Sequence, residues 1–335
     1  MARQVPGPWV RRPVGITTLI LLALLLPLLA PIALLVTLIL DLLNGGRPFR
    51  RTRAYVLIAG LVAVDLAGLV MVGGVWLISP LGWDLKKERT QKQFGWVMTA
   101  WTTSLIRVIA AVMPLTMHID ELDPDVLKGN AIVIGRHRSL LDAVLPAVIF
   151  GNLGLTALYT LKEDLRREPN IDLVGHWMGH RFVTRAPQNL ETELEPIRAL
   201  GGRLEDSNVA VIFPEGTFFT AERKAKIIRS IEEKDPGHAE QARALNHLLP
   251  PRPGGTLALL DGAPDADIIV FGHSGFELYG SIPQILKNIG TGNEVHFCAW
   301  RIPRETVPLD REEQIEWLFD VWAELDAWID TKHPL

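Results

Sequence analysis

Hydrophobic and polar positions divide the chain into two materials. Between Arg12 and Asp41 lie 28 consecutive uncharged residues dense in Leu and Ile. As an α-helix at ~1.5 Å per residue they would extend about 42 Å, against a hydrocarbon core of roughly 30 Å. Pro27 and Pro31 each remove a backbone donor and predict a kink or a break into two half-helices. A second apolar run, Ala54 to Trp83, is interrupted only by Asp65, and a basic, turn-rich stretch, Asn44 to Arg51, separates the two. The pattern predicts a helical hairpin rather than a cleaved signal peptide, because the first run is about twice a signal core and no small-x-small site follows it. A third apolar segment, Phe94–Ile119, carries only Arg107 and predicts a helix at the membrane interface or packed on the body.

From about residue 130 short β-rich runs alternate with helical stretches. Strands are predicted at Ala131–Gly135, Leu155–Leu161, Val209–Phe213, Asp267–Phe271 and Val295–Ile302. Helices are predicted at Leu140–Phe150, Leu190–Leu204, Ala239–Leu249 and Glu312–Ile329. This order implies an α/β domain, a mostly parallel sheet flanked by helices, behind an N-terminal membrane hairpin. The expected boundaries are 1–83 for the anchor, 84–125 for the interfacial helix and linker, and 126–335 for the body. Trp317, Trp322 and Trp328 form an apolar stripe with Leu318, Leu325 and Ile329 at helical spacing, as a core-facing helix requires.

Charge sharpens the division. Residues 1–83 hold seven arginines and two acids, a net +5, so the remainder carries −9 of the chain's −4. An acidic body argues against nucleic acid as a partner, since phosphate binding draws on Lys and Arg. The lone Cys298 excludes a disulfide framework and reads as a core residue. If both runs cross, Arg3, Arg11, Arg12, Lys86, Lys87, Arg89 and Lys92 share the side of the body, against four arginines in the loop. That bias places the anchor in the inner or plasma membrane with the body facing the cytoplasm, and a hairpin that dips and returns would ease the loop's opposing charge. Trp9, Trp76 and Trp83 fall where indoles favour the headgroup level, and Asp65 is a functional candidate or a partner across the hairpin.

Three constellations carry candidate chemistry. After the first strand comes Gly135-Arg136-His137-Arg138-Ser139-Leu140-Leu141-Asp142. Five steps along an unbroken helix separate two side chains by about 140°, so His137 and Asp142 meet only if the chain turns between them. Ser139 supplies that turn as an N-cap, with Asp142 in the first helical turn. The same residues fit an ordinary capping box beside a loop histidine. The second constellation is Gly179-His180-Arg181-Phe182-Val183-Thr184-Arg185, preceded by Leu161-Lys162-Glu163. The third, Phe213-Pro214-Glu215-Gly216-Thr217, closes a buried strand with a Pro-led turn whose glycine would admit an anion close to the backbone, with Arg185 bringing charge. His176 and His180 lack the glutamate of a zinc-protease helix, and no metal is expected. The run Arg223-Lys224-Ala225-Lys226 fits a solvated face or a contact with phosphates.

Together, an H-x-x-x-x-D, a G-x-x-F-x-x-R and an F-P-E-G-T in this order resemble the glycerolipid acyltransferase family. The resemblance runs from about residue 85 to 330. Leu249-Pro250-Pro251-Arg252 is similar to the L-x-P-R segment of the branch that includes the lysocardiolipin acyltransferases, while His137-Arg138-Ser139 is also similar to the glycerol-3-phosphate acyltransferases. Arg136 stands where many members have Asn, and Asp267–Gly272 lacks the proline of the fourth block. The resemblance implies His137 as general base and Asp142 as its orienting partner. It implies a substrate-binding set of Arg138, Ser139, Lys162, Arg185, Glu215, Gly216 and Thr217. Glu215 is expected to pair with an Arg or Lys, and amides at the start of the helix after Ser139 to face the developing oxyanion. The implied reaction moves a fatty acyl group from acyl-CoA or acyl carrier protein, as co-substrate and with no cofactor, to the hydroxyl of lysophosphatidic acid or a related lysophospholipid at the lipid bilayer. Glycerol-3-phosphate acylation, phospholipid transacylation and a silent lipid-binding scaffold are the alternatives.

Overall fold

The computed structural model describes residues 5–45, 49–139, 141–184, 190–233 and 235–332. Seven strands, β1 (Leu115–Leu122), β2 (Ala131–Gly135), β3 (Thr156–Lys162), β4 (Arg181–Val183), β5 (Asn208–Ile212), β6 (Asp267–Ser274) and β7 (Asn293–Ile302), form one sheet in the order β1-β7-β6-β2-β5-β3-β4. Every pairing is parallel except β6 with β7. The five predicted strands are present within a few residues. β1 and β4 were missed: Ile119, expected to close the interfacial helix, lies in β1 and pairs with Phe297 of β7. Pro114 explains the early helix end, because it bars the α conformation at Met113, which is extended at φ −110°, ψ 112°.

Helices cover both faces of the sheet. Along β2, Ala131 and Val133 point into a core completed by α3 (Glu88–Val112), α4 (Leu145–Asn152) and α5 (Pro169–Met178). Ile132 and Ile134 point into a second core with α6 (Leu190–Gly201), α9 (Pro253–Gly262) and α11 (Arg311–Lys332). This double burial is why the strands read as continuous apolar runs. α7 (Ala221–Glu232) and α8 (Pro236–Ala244) follow β5, and α10 (Ile282–Asn288) links β6 to β7. Trp322, Leu318, Leu325 and Ile329 of α11 are fully buried, and Cys298 is a buried free thiol.

The apolar runs form α1 (Pro8–Leu43) and α2 (Arg50–Ile78). α1 continues through Pro27 and Pro31 without a break, correcting the two-helix alternative. α1, α2 and α3 are each long and apolar enough to cross a membrane. α2 packs along α3: Trp101 Nε1 donates to Asp65 Oδ1 at 2.9 Å, and Arg53 Nη1 donates to the carbonyl of Val112 at 2.7 Å. Asp65 therefore pairs with α3, not across the hairpin. At the other end of the hairpin, Arg11 and Arg12 both reach Asp172 of α5, at 2.8 Å each.

Candidate active site

The candidate residues converge at the carboxyl ends of β2, β3, β5 and β6, where open α/β sheets place their ligands. Asp142 lies in a turn before α4 instead of inside the helix, since Pro146 is tolerated only in a first helical turn and fixes the start at Leu145. Leu140, where that helix was expected to begin, lies outside the described residues. The turn is closed by side chains: Ser139 N–H and Ser139 Oγ donate to Asp142 Oδ2 and Oδ1, each at 2.5 Å, and the amide of Arg138 also donates to Oδ2. Leu141 N–H donates to Ser139 Oγ at 3.2 Å. The capping-box geometry and the His–Asp juxtaposition are thus the same structure, with His137 Nδ1 3.8 Å from Asp142 Oδ2.

His137 lies between two aromatic rings, stacked on Phe213 at 4.5 Å between centroids and tilted against Phe218 at 4.3 Å. Burial there pushes its pKa down to about 4, outweighing the pull of Asp142, and Lys162 and His273 add to the depression. The imidazole is neutral at neutral pH, the form a general base needs. Asp142 is fully buried, which alone would raise its pKa; His273, Ser139 and His137 more than reverse this and hold it below its usual value.

Three sequence expectations are corrected. Glu215 does not pair with a cation or face an acceptor: its two oxygens accept the amides of His137 at 2.7 Å and Leu249 at 3.1 Å, and burial pushes its carboxyl up to about 8. Ser139 is fully buried on Asp142, so its hydroxyl is committed to the turn. The amides of Arg138, Ser139 and Leu141 are likewise engaged within the turn, which removes them as oxyanion donors. Arg136 points inward, donating to the carbonyl of His273 and pairing with Glu277 Oε1, both at 2.6 Å, so this departure from the family pattern belongs to the frame of the site.

Other expected residues lie at the ends of β2, β3 and β5. Gly216 adopts φ +64°, donates to the carbonyl of Phe213 at 3.0 Å, and leads to the half-buried Thr217. A side chain is strained in that left-handed conformation, which accounts for the glycine. Arg138 stacks over Phe219, its guanidinium carbon 4.6 Å from the centroid, and Lys162 Nζ lies 5.5 Å from the Phe218 centroid. Arg223 of the basic run donates to the carbonyl of Phe218 at 2.9 Å, tying α7 to the loop that covers His137. In the second constellation, Gly179 caps α5 at φ +74° and Phe182 receives Arg166, while Arg185 lies outside the described residues.

The L-x-P-R-like segment packs beside the F-P-E-G-T turn: Arg252 N–H donates to the carbonyl of Pro214 at 2.9 Å, and Trp322 Nε1 to that of Leu249 at 3.0 Å. Asp326 of α11 caps the amides of Asn246, His247 and Leu248 just before it. His180 accepts the amide of Tyr159 at 3.3 Å and is a structural residue. Among the described residues, His118, Glu294 and His296 bring potential metal-ligand atoms within 4.8 Å of one another, on β1 and β7. That group is tied to α11 through Asp120, which meets His296 at 2.8 Å and Lys332 at 3.1 Å. Sequence reasoning missed His273; only its position in β6, parallel to β2, brings it to Asp142.

Residues 115–254, from β1 to the start of α9, match the family model described as Acyltransferase, which supports the resemblance to the glycerolipid acyltransferases. It is 27% identical over 202 residues to lysocardiolipin acyltransferase 1 of Gallus gallus, an alignment taking in 58% of this chain and 52% of that protein. The chain thus spans about half the length of that relative. Its fold is similar to the crystal structure of the 1-acyl-sn-glycerophosphate (LPA) acyltransferase PlsC from Thermotoga maritima, with a TM-score of 0.52 and 15% identity, covering 83% of this chain and 97% of that one.

Proposed function

We propose that this protein is a membrane-bound O-acyltransferase that moves a fatty acyl group from an acyl thioester, acyl-CoA or acyl carrier protein, to the hydroxyl of lysophosphatidic acid or a related lysophospholipid. The observation that carries this reading is His137: a neutral, desolvated imidazole against a buried carboxylate, at the carboxyl ends of four strands. His137 takes the proton of the acceptor hydroxyl as its oxygen attacks the thioester carbonyl. The carbon–sulfur bond then breaks and the thiolate leaves, so direct transfer requires neither an acyl-enzyme nor a cofactor. Lys162 and Arg138, with Arg185 on the resemblance, supply positive charge for the acceptor's phosphate, beside Gly216 and Thr217.

Residues 1–83 serve as the anchor. The outward leucines of α1, including Leu24, Leu28 and Leu35, are exposed and suit a lipid environment. Contact of Arg11 and Arg12 with the body supports a body on the same side as the N-terminus, which the charge bias places in the cytoplasm. Packing of α2 along the length of α3 supports a hairpin that dips into the bilayer.

The test is transfer of labelled acyl chains by the full-length protein in lipid nanodiscs, with lysophosphatidic acid, glycerol-3-phosphate and other lysophospholipids as acceptors. His137→Ala should lower kcat by about 10²–10⁴-fold, the usual contribution of a general base. Near-normal turnover in that variant would overturn the assignment.

A further inference from the structure

A second histidine stands behind Asp142. His273, near the end of β6, is fully buried, and its Nε2 lies 3.1 Å from Asp142 Oδ1, the oxygen turned away from His137. Asp142 therefore carries one imidazole at each oxygen, with the Ser139 hydroxyl sharing Oδ1 and the amides of Arg138 and Ser139 sharing Oδ2.

Space filling does not account for this residue. A buried imidazole costs free energy unless its nitrogens find partners, and an apolar side chain would occupy the same volume without that cost. Among the described residues, Asp142 is the polar group that His273 Nε2 meets, and the contact lies off ideal hydrogen-bond geometry. The strand end that carries His273 is itself fixed. Arg136, the residue before His137, donates to the carbonyl of His273 and pairs with Glu277. Glu277 Oε2 in turn accepts the amide of Gly275 at 2.7 Å. Burial would raise the Glu277 carboxyl, but Arg136 outweighs it and holds it at about 2, so the tie is ionic across the working pH range. Phe276 packs on the His273 ring at 5.2 Å between centroids. One frame thus sets the positions of both histidines relative to one carboxylate.

We infer that His273 is a positioning residue for the transfer reaction: it holds Asp142 Oδ1 so that Oδ2 is presented to His137. This rests on the acyltransferase reading given above. The hydrogen-bond donor matters, not the ring. An amide nitrogen at the place of Nε2 should serve, and an apolar side chain should not.

The experiment compares wild type, His273→Gln and His273→Leu, full-length in nanodiscs, by transfer kinetics and by carbethoxylation of His137 with diethylpyrocarbonate followed across pH by peptide mass spectrometry. His273→Leu should lower kcat by about 10–100-fold, the range found for outer-shell partners in metal sites, with KM for both substrates within about twofold. His273→Gln should restore most of it. Among the described residues, the charged and titratable groups facing His137 are Asp142 and Glu215 from the turns after β2 and β5, Lys162 from β3 and His273 from β6. Of these only His273 changes; with no donor on Oδ1 the Asp142 charge acts more fully on His137, so the carbethoxylation midpoint should move upward in His273→Leu and move back in His273→Gln, whose amide shares that charge again. An unchanged midpoint, an unchanged kcat, or equal loss in both variants overturns the positioning role. If His273→Leu does not fold, kinetics and midpoint in His273→Gln decide alone, both staying near wild type if the inference holds. Absence of transfer by wild type from every thioester overturns the acyltransferase reading instead, and carbethoxylation still decides the role of His273.

Discussion

The backbone amide of His137 donates to Glu215 Oε1 at 2.7 Å, which ties the candidate base to the turn after β5 through the main chain. The other oxygen accepts Leu249 N–H, so one buried side chain joins three motifs that are far apart in sequence. Glu215→Leu leaves two buried amides without acceptors, at about 1–3 kcal/mol each. The expected outcome is a fall of that order in unfolding free energy by denaturant titration, together with loss of transfer. Glu215→Gln keeps one acceptor oxygen and should fall between wild type and Glu215→Leu.

The pH dependence follows from His137. With its pKa pushed down to about 4, the base stays unprotonated through the neutral range, so kcat/KM should lose its acid limb only as pH falls through about 4. For stability the sign is the same. The unfolded chain takes up the proton near the ordinary histidine value of 6.5 while the folded chain refuses it, so this group's contribution declines as pH falls from 6.5 toward 4. Phe218→Ala opens one side of the ring to water and should move the kinetic limb toward 6.5. A wild-type limb already at 6.5 would contradict the desolvated site.

Much of this arrangement was legible in the sequence. The strands buried on both faces announce themselves as apolar runs, and His137 and Asp142 meet as the turn at Ser139 required. What was not legible depends on distant contacts. Glu215 reads as a charged loop residue until the amides that it satisfies are known, because backbone donors leave no mark in a sequence. β1 and β4 lie at the sheet edges and lack the continuous apolar character of the central strands. His273 has no local motif, and its partner lies across a strand pairing set by tertiary structure.

Ser139 separates positioning from binding. Its hydroxyl donates to Asp142 and accepts Leu141 N–H, without access to solvent. Ser139→Ala should therefore lower kcat by roughly tenfold and destabilise the protein by about 1 kcal/mol, as for a lost N-cap, leaving KM for the acceptor unchanged. A rise in acceptor KM at constant kcat would return the residue to the binding set. Steady-state kinetics over both substrates distinguish the two.

The ionic tie of α1 to the body centres on Asp172. Its carboxylate is buried, which would raise its pKa, yet Arg11 and Arg12 outweigh this and hold it below the ordinary 3.8. A depressed carboxylate contributes stability above its unfolded value and loses it as pH falls through the folded one. The tie should thus persist across the neutral range and loosen only in strong acid. Asp172→Asn removes the charge and leaves three partly buried guanidinium groups, those of Arg11, Arg12 and Arg166, facing an amide, at a cost of about 3–5 kcal/mol as for a broken buried pair. Since α1 makes its ionic contacts with the body here, the variant should become sensitive to protease near Arg11 and Arg12 in nanodiscs while His137 carbethoxylation stays at wild-type rate. Protection of α1 in that variant would show that the packing of α1 on α2 and on Pro169 of α5 holds it in place without the ionic tie.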